Sequence, residues 1–244
     1  MNRPPLRNVF EVTSWHTPCS DYAERTVGDY RLKQTEYKEG VYRLYRVGGF
    51  SYFRVAGGPI PVMSLEGREN GEWRQWMIDD PFNYMAIREY CKRLNGRVLT
   101  SGLGLGIAAT ALAENPDVTE VVVAERAPEV VELISRYVPE RVKIINDDFW
   151  NVATDTRKRF WRARRWDGIL LDIWRSTGLQ EHEQVRTRDA IPAKARLEKL
   201  HPGVPKVLFG FAEQTDIDIQ FNQERRSPHF TTRSLSSPDR QFAR

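Results

Sequence analysis

The chain has 244 residues, of which 40% are hydrophobic and 29% are charged, and its formal net charge is +4 at pH 7. This composition predicts a soluble globular protein, and it excludes a membrane-spanning helix because no apolar run approaches the roughly 18 residues that such a helix needs. The modest positive charge permits nucleic acid as a partner without requiring it. A small-molecule partner is preferred over nucleic acid, and a homo-oligomer is allowed.

Sequence features near the amino terminus and the two cysteines indicate a cellular compartment. Residues 1–5 contain two prolines and no apolar segment of the kind found in a signal peptide. Cys19 and Cys91 are far apart and have neither metal-binding nor redox spacing. A reduced, cytoplasmic environment is therefore expected, with no membrane contact. The four histidines also lack metal-ligand spacing, so no metal site is predicted.

The first third of the chain has the pattern of a small β domain. Residues 1–25 include three prolines and are predicted to be an irregular lead-in. Residues 30–33 and 41–47 alternate in the period-two manner of half-buried strands, and glycine-rich turns follow at residues 48–49 and 57–59. An antiparallel β unit is expected over residues 26–78.

The remainder of the chain alternates helical and apolar strand patterns. Asp80-Pro81 predicts a helix start with an acidic N-cap, and that helix should extend to Asn95-Gly96. Five short apolar runs follow, separated by helical stretches. They lie near residues 98–99, 121–124, 142–145, 168–172 and 206–209. Apolar strands between helices predict a parallel sheet covered on both faces, within a domain of residues 79–221. Residues 222–244 are predicted to be a disordered tail.

Three glycines at alternate positions, Gly102, Gly104 and Gly106, separate the first of these strands from an alanine-rich helix. Glycine permits positive φ angles and lets a ligand lie against bare backbone, while the amides at the helix start face that ligand. The turn therefore predicts a nucleotide-type site. The alternative is a tight connection whose glycines serve only packing.

Acidic residues end the neighbouring strands. Glu125 follows the second strand at about the distance at which dinucleotide-binding folds place a ribose-binding acid. Asp148 follows the third strand and Asp172 ends the fourth. Right-handed crossovers bring the carboxyl ends of parallel strands to one edge, where ligands bind in such sheets. These acids should therefore meet the glycine turn in one crevice.

This set of motifs resembles the class I S-adenosylmethionine-dependent methyltransferase fold, most closely its spermidine synthase branch. The resemblance covers about residues 62–211 and is strongest over residues 97–172. It implies a Rossmann-like three-layer sandwich with a mostly parallel sheet, preceded by the small β unit. The full fold has two further strands after the fifth, and only residues 217–221 offer one, so an abbreviated sheet is expected.

The resemblance also implies roles for individual residues. The glycine turn would hold the methionine part of the cofactor and Glu125 its ribose. Asp148 would bind the adenine amino group, or Asp147 if the register differs by one. Asp172 would lie near the sulfonium, where it would orient an amine or accept its proton. A strand-end aspartate that only caps the next turn is the alternative.

The β unit fits the aminopropyltransferases of this branch. Residues 80–84 fall where that family has an Asp-Glu-x-x-Tyr pattern, which suggests Asp80 and Tyr84 as substrate-binding residues. Gln75 lies at the distance of the family's cofactor-contacting glutamine. An ordinary helix cap and a solvated glutamine are the competing interpretations.

Departures from the family pattern decide the order of hypotheses. Thr100 and Leu105 replace acids, and Ile173-Trp174-Arg175 replaces the acidic loop that would bind a diamine cation. Trp174 would instead form a flat apolar or cation-stacking wall. A methyltransferase with an unknown acceptor is therefore favoured over an aminopropyltransferase that uses decarboxylated S-adenosylmethionine. A non-catalytic nucleoside-binding protein is the third hypothesis.

Two other patterns receive weaker interpretations. Residues 104–109 formally fit Gly-x-Gly-x-x-Ala, so a nicotinamide enzyme is a lesser rival. Residues 157–166 combine basic and aromatic side chains. This block could bind a phosphate backbone, but a solvated helix face is the preferred interpretation because the block is short.

Overall fold

The computed structural model describes residues 9–46, 49–154, 166–173, 185–209 and 230–234. The strands before the first long helix are β1 Val9–Trp15, β2 Arg25–Val27, β3 Tyr30–Tyr37, β4 Gly40–Arg46, β5 Gly49–Val55, β6 Ile60–Glu69 and β7 Glu72–Ile78. The later strands are β8 Gly96–Ser101, β9 Val118–Glu125, β10 Val142–Asn146, β11 Gly168–Leu171, β12 Lys206–Leu208 and β13 Phe230–Ser234. The α-helices are α1 Pro81–Cys91, α2 Ile107–Glu114, α3 Pro128–Ile134, α4 Phe149–Thr154 and α5 Ile191–Leu200.

A five-stranded sheet with the order β10-β9-β8-β11-β12 forms the centre of the second half of the chain. All four strand pairs are parallel, which confirms the predicted Rossmann-like α/β fold. The chain leaves β8 in one direction to build β9 and β10 and then crosses to β11 and β12. Strand order therefore reverses beside β8, and such a reversal leaves a crevice at the carboxyl ends of the strands.

Side chains alternate across this sheet and fill two cores. Val121 and Val123 of β9 belong to the core that also contains the β unit and α1 to α3. Val122 and Ala124 belong to the opposite core, which includes Phe149 of α4 and Leu197 of α5. The uninterrupted apolar run from Val121 to Ala124 in β9 thus follows from burial on both faces. None of the described helices combines the length and hydropathy that crossing a bilayer requires.

The β unit consists of two sheets rather than one. The first is antiparallel, with the order β2-β3-β6-β7, and the second has the order β13-β1-β5-β4. Residues 9–15 were predicted to be irregular, but they form β1, which pairs in parallel with β5 and antiparallel with β13. β13 itself lies in the segment predicted as a disordered tail. Burial of Phe10, Val12 and Trp15 explains why this part of the lead-in is ordered.

The helix predicted after Asp80 is present, and its N-cap is confirmed. The Asp80 carboxylate accepts a hydrogen bond from Asn83 N at 2.9 Å, and Pro81 occupies the first helical position. The helix ends at Cys91, four residues earlier than expected. The basic block of residues 157–166 lies outside the described residues except for Trp166, and residues 217–221 also lie outside them.

Candidate functional site

The glycine loop joins β8 to α2 and packs against β7 of the β unit. Gly104 has a φ angle of +52°, and a Cβ atom there would lie 2.5 Å from the Met77 sulfur. Leu105 N donates a hydrogen bond to the same sulfur at 3.3 Å. Only glycine allows both this backbone conformation and the close approach of β7. The loop and Met77 therefore form one packed unit.

The amino-terminal segment supports the other side of the loop. The Tyr22 hydroxyl donates a hydrogen bond to Leu105 O at 2.8 Å. The Tyr22 ring stacks on Tyr137, with ring centroids 4.0 Å apart. Tyr22 follows a short 3-10 helix, Pro18–Asp21, whose Cys19 thiol also contacts Leu105 O. The segment predicted as a lead-in is thus part of the support of the glycine loop.

Glu125 ends β9 and reaches back to the glycine loop. Its Oε2 accepts a hydrogen bond from Leu103 N at 2.7 Å, and its Oε1 accepts one from Ala127 N at 2.7 Å. The side chain is buried. Each carboxylate oxygen has a second lone pair, so both oxygens can still accept a hydrogen bond from a ligand. Glu125 therefore fixes the loop and offers a negative charge at its edge.

A cavity of about 460 Å³ opens at the carboxyl edge of the sheet. Its polar wall includes Thr100, Ser101, Gly102, Gly104, Glu125, Arg126, Asp148 and Asp172. Its apolar wall includes Tyr30, Leu65, Trp76, Met77, Ile87, Phe149 and Phe209. The volume is in the range of pockets that enclose cofactors and small ligands. Gly102 and Gly104 of the glycine loop thus share one concave site with the acids that follow three strands, whereas Gly106 is not part of its wall and faces Ile134 and Val138.

Asp148, rather than Asp147, contributes to this cavity. Asp148 follows β10 and its Oδ1 accepts a hydrogen bond from Trp150 N at 2.8 Å at the start of α4. Asp147 is exposed, and its Oδ1 accepts hydrogen bonds from Asp148 N at 2.7 Å and Asn151 Nδ2 at 2.8 Å. The structure therefore assigns the two neighbouring acids to different environments.

Asp172 lies at the opposite side of the glycine loop from Glu125. Its backbone N–H donates a hydrogen bond to Ser101 Oγ at 2.6 Å, which ties the end of β11 to the end of β8. Burial raises the pKa of the Asp172 carboxyl to about 7. A carboxyl with a pKa near neutrality can take up or release a proton at physiological pH.

Thr100 presents a buried hydroxyl to the cavity. Its side chain is 1% exposed and forms part of the cavity wall. Its Oγ1 has no hydrogen-bond partner among the described residues. Such a group costs free energy unless a ligand supplies the partner. Thr100 therefore presents a polar atom to the cavity near the end of β8.

Gln75 does not join the cavity wall. It is exposed and lies opposite Glu66 in the β6–β7 ladder. Leu65 pairs with Met77 and Glu66 pairs with Gln75, so Trp76 is an extra residue in β7. A bulge of this kind redirects the strand and its side chains. As a result, Trp76 and Met77 reach the cavity instead of Gln75.

The other predicted substrate-binding residues also lie away from the cavity or outside the described residues. Asp80 is buried and accepts hydrogen bonds from the N-cap partner Asn83 and from the Tyr37 hydroxyl at 3.1 Å. Tyr84 is buried, and its ring lies edge-on to Trp15 with centroids 5.6 Å apart. Both side chains stabilise the junction of α1 with the β unit. Trp174 lies outside the described residues.

Most of the apolar wall that covers the cavity, here called its roof, was not predicted from the sequence. Tyr30, Trp76 and Met77 come from the β unit, whose position over the sheet edge depends on long-range packing. The only signal was the concentration of aromatic residues in β7. That concentration of aromatic residues does not indicate which side chain of β7 faces the parallel sheet.

The strand order, the glycine loop after the central strand and the acids after its neighbours together define a Rossmann-like α/β fold with a concave site at the carboxyl edge of its sheet. No protein-family model matches the chain, and comparison with curated proteins gives no match. The fold assignment rests on the strand order of the chain itself.

Several solved structures resemble parts of the chain at 13% sequence identity. The spermidine synthase of Thermotoga maritima aligns with 71% of this chain and 58% of its own length, with a TM-score of 0.35. A dimethyladenosine transferase from Plasmodium falciparum aligns over 53% and 41%, with a TM-score of 0.33. The plantazolicin methyltransferase BpumL, in complex with a pentazolic analogue and SAH, aligns over 38% and 36%, with a TM-score of 0.28. The chain thus spans between about a third and three fifths of these structures.

Proposed function

We propose that the protein is an S-adenosylmethionine-dependent methyltransferase that acts on a small-molecule acceptor. The observation that carries this proposal is the single cavity shared by the glycine loop, Glu125, Asp148 and Asp172. S-adenosylmethionine needs a loop whose backbone can contact its methionine part, a hydrogen-bond acceptor for its ribose hydroxyls, an acceptor for its adenine amino group and a negative charge near its sulfonium. In the order of strands β8 to β11, the glycine loop, Glu125, Asp148 and Asp172 would supply these four groups.

The residues of the cavity fit the donor chemically. Glu125 would accept hydrogen bonds from the two ribose hydroxyls, and Asp148 would accept one from the adenine amino group. The buried Thr100 hydroxyl, which has no partner among the described residues, would gain one from the bound donor. Bound S-adenosylmethionine supplies a sulfonium whose methyl carbon is intrinsically electrophilic.

The protein's contribution to the reaction is then mainly orientation. In this reaction a lone pair of the acceptor would form the new bond to the methyl carbon, and the electron pair of the broken carbon–sulfur bond would remain on sulfur as a neutral thioether. Asp172 would accept the acceptor's proton when its carboxyl is ionised. Alignment of the reactants in a water-poor cavity can supply effective molarities of roughly 10⁵ M or more in favourable cases.

The proposal is tested first by identifying the bound nucleoside. Native mass spectrometry of the purified protein, followed by calorimetric titration with S-adenosylhomocysteine, decarboxylated S-adenosylmethionine and NAD, separates the hypotheses. Binding of S-adenosylhomocysteine supports the proposal. Binding of NAD alone would refute it, and methylthioadenosine formed from decarboxylated donor and putrescine would establish an aminopropyltransferase instead. Binding without turnover of any acceptor would indicate a non-catalytic protein.

Asp172→Asn is expected to remove a pH-dependent preference for the charged donor. For the wild type, the dissociation constant of S-adenosylhomocysteine divided by that of S-adenosylmethionine should be about tenfold larger at about pH 8.5 than at about pH 5.5. The reason is that Asp172 is ionised at the higher pH and attracts the sulfonium. The variant has no ionisable group there, so its ratio of dissociation constants should not change with pH. Competition titrations at both pH values measure this ratio.

Asp117→Asn, which changes an exposed acid before β9, serves as the control and should retain the wild-type pH dependence. A wild-type ratio that is the same at both pH values would contradict a position of Asp172 near the sulfonium. A pH-dependent ratio that survives in the Asp172 variant would contradict it as well.

Thr100→Val is expected to change stability and ligand affinity in opposite directions. The valine methyl replaces a buried hydroxyl without a partner, so the free protein should become more stable by about 1 kcal/mol. S-adenosylhomocysteine should bind up to about tenfold more weakly because one hydrogen bond is lost. Thermal denaturation with and without the ligand measures both effects.

Ser101→Ala provides the matched comparison for Thr100→Val. The Ser101 hydroxyl already accepts a hydrogen bond from Asp172 N, so its loss should destabilise the free protein. Destabilisation of the free protein by Thr100→Val, to the same extent as by Ser101→Ala, would show that the Thr100 hydroxyl has a partner without any ligand.

A further inference from the structure

A second cavity of about 580 Å³ adjoins the first. The two cavities share Trp150 and Ile173 as wall residues, and Ile173 directly follows Asp172. The remaining wall comes from the segment that leads into α5 and from its first turns, including Arg188, Asp189 and Arg196. A molecule whose reacting atom lies beside Asp172 would therefore reach this second cavity past Ile173 and Trp150.

The two arginines of the second cavity differ in their ion pairing. Arg188 forms two hydrogen bonds to the carboxylate of Asp189, Nε to Oδ1 at 2.9 Å and Nη2 to Oδ2 at 2.7 Å, so its charge is neutralised locally. Arg196 is exposed, and its guanidinium carbon lies 4.0 Å from the centroid of the Trp150 ring. In the part of the chain that the structure describes, no carboxylate pairs with Arg196. The described wall of this cavity therefore carries one uncompensated positive charge.

Stacking on Trp150 leaves the edge of the Arg196 guanidinium able to donate hydrogen bonds. A guanidinium stacked on an aromatic face is preorganised, and its planar edge matches a carboxylate or a phosphate. The same charge repels a protonated amine. The second cavity is therefore suited to an anion and unsuited to a polyamine.

We propose that the second cavity binds an anionic group of the acceptor, a carboxylate or phosphate, through Arg196 stacked on Trp150. The inference rests on the proposed function, because it assigns the second cavity to the methyl acceptor. It narrows the acceptor class to molecules that carry this anion beyond the atom that receives the methyl group.

The test uses calorimetric titration of the full chain saturated with S-adenosylhomocysteine. The probes are 4-hydroxybenzoate, phenyl phosphate, the matched neutral 4-hydroxybenzamide, and putrescine. At least one anionic probe should bind about tenfold or more tightly than the amide, since hydrogen bonds to charged groups are worth more than neutral ones. The comparison of the two anions distinguishes a carboxylate from a phosphate acceptor.

Arg196→Gln should abolish the preference for the anion. Lys199→Gln changes an exposed cation of the same helix outside the cavity and should preserve it. Equal binding of anion and amide by the wild type, an unchanged preference in the Arg196 variant, or tighter binding of putrescine would overturn the proposal. Because Arg196 is exposed, the variant should keep the wild-type melting temperature.

The same titrations without S-adenosylhomocysteine separate the two proposals. If S-adenosylhomocysteine does not bind but the anion still binds in an Arg196-dependent manner, the proposed function fails and the anion site stands. If S-adenosylhomocysteine binds and no anion preference is found, the proposed function stands and the anion site fails.

Discussion

Glu125→Gln is expected to lower the affinity for S-adenosylhomocysteine about 100-fold, because a carboxylate can both accept two backbone hydrogen bonds and bind the ribose, whereas an amide cannot do both. Both oxygens of Glu125 accept hydrogen bonds from backbone N–H groups, those of Leu103 and Ala127. The glutamine side chain must turn its NH₂ group toward one of these donors, so that contact becomes repulsive. The glycine loop then loses its anchor, and the ribose loses a charged acceptor, each worth roughly 1.5–3 kcal/mol.

Isothermal titration calorimetry measures this loss, and circular dichroism reports whether the sheet remains intact. Glu120→Gln is the matched control, since Glu120 lies on the same strand and forms its ion pairs with Arg97 and Lys143. That variant should bind S-adenosylhomocysteine with wild-type affinity. An affinity of folded Glu125→Gln within about threefold of wild type would remove Glu125 from the binding site, as that is well below one charged hydrogen bond.

The residues that meet at the carboxyl edge of the sheet could be predicted, because the apolar strand runs allow few arrangements other than a covered parallel sheet. Apolar runs such as residues 121–124 can be buried on both faces only in a covered sheet, and such sheets are built from right-handed crossovers. Once the strands are parallel, the residues that follow them must share an edge. The meeting of Gly102, Glu125, Asp148 and Asp172 therefore follows from their positions in the sequence.

The cavity roof could not be predicted in the same way. The local pattern of the β unit indicates its hairpins, but it does not indicate that β1 and β13 complete a second sheet. The bulge at Trp76 shows that a single residue determines which side chains of β7 reach the cavity. One additional residue in β7 brings Trp76 and Met77 to the cavity and leaves Gln75 outside it. Family spacing alone selected Gln75, since spacing contains no information on ladder register.

The anchor of the amino-terminal segment was likewise not visible in the sequence, where Asp79 is simply the residue before the predicted N-cap Asp80. Asp80 takes that role, whereas Asp79 binds groups distant in the sequence. Its carboxyl contacts the Thr17 hydroxyl at 2.5 Å and accepts a hydrogen bond from Met63 N at 2.6 Å. Thr17 caps the short 3-10 helix that precedes Tyr22, and Tyr22 contacts Leu105 O. Asp79 thus supports the glycine loop indirectly.

Asp79→Asn is expected to stabilise the protein at about pH 8 and to have little effect at about pH 5. Burial raises the pKa of Asp79 in the folded protein to about 6, above its ordinary value near 3.9. The folded state therefore binds more protons than the unfolded state between these values, and stability falls as pH rises through about 6. The difference between the folded and unfolded pKa values of Asp79 corresponds to roughly 3 kcal/mol of stability lost at high pH. The asparagine avoids this loss but forms weaker hydrogen bonds, so the variant should be more stable than the wild type by about 1–2 kcal/mol at the higher pH.

Urea denaturation of both proteins at the two pH values measures the effect, because contributions of other titrating groups cancel in the difference between variant and wild type. Asparagine can present its N–H to Thr17 and its oxygen to Met63 N, as a protonated carboxyl does. Asp21→Asn changes an exposed acid of the same 3-10 helix and should leave the pH dependence as in wild type. Equal destabilisation by Asp79→Asn at both pH values would mean that the buried carboxyl is ionised throughout. Its hydrogen bonds from Thr17 and Met63 would then outweigh the cost of burying the charge.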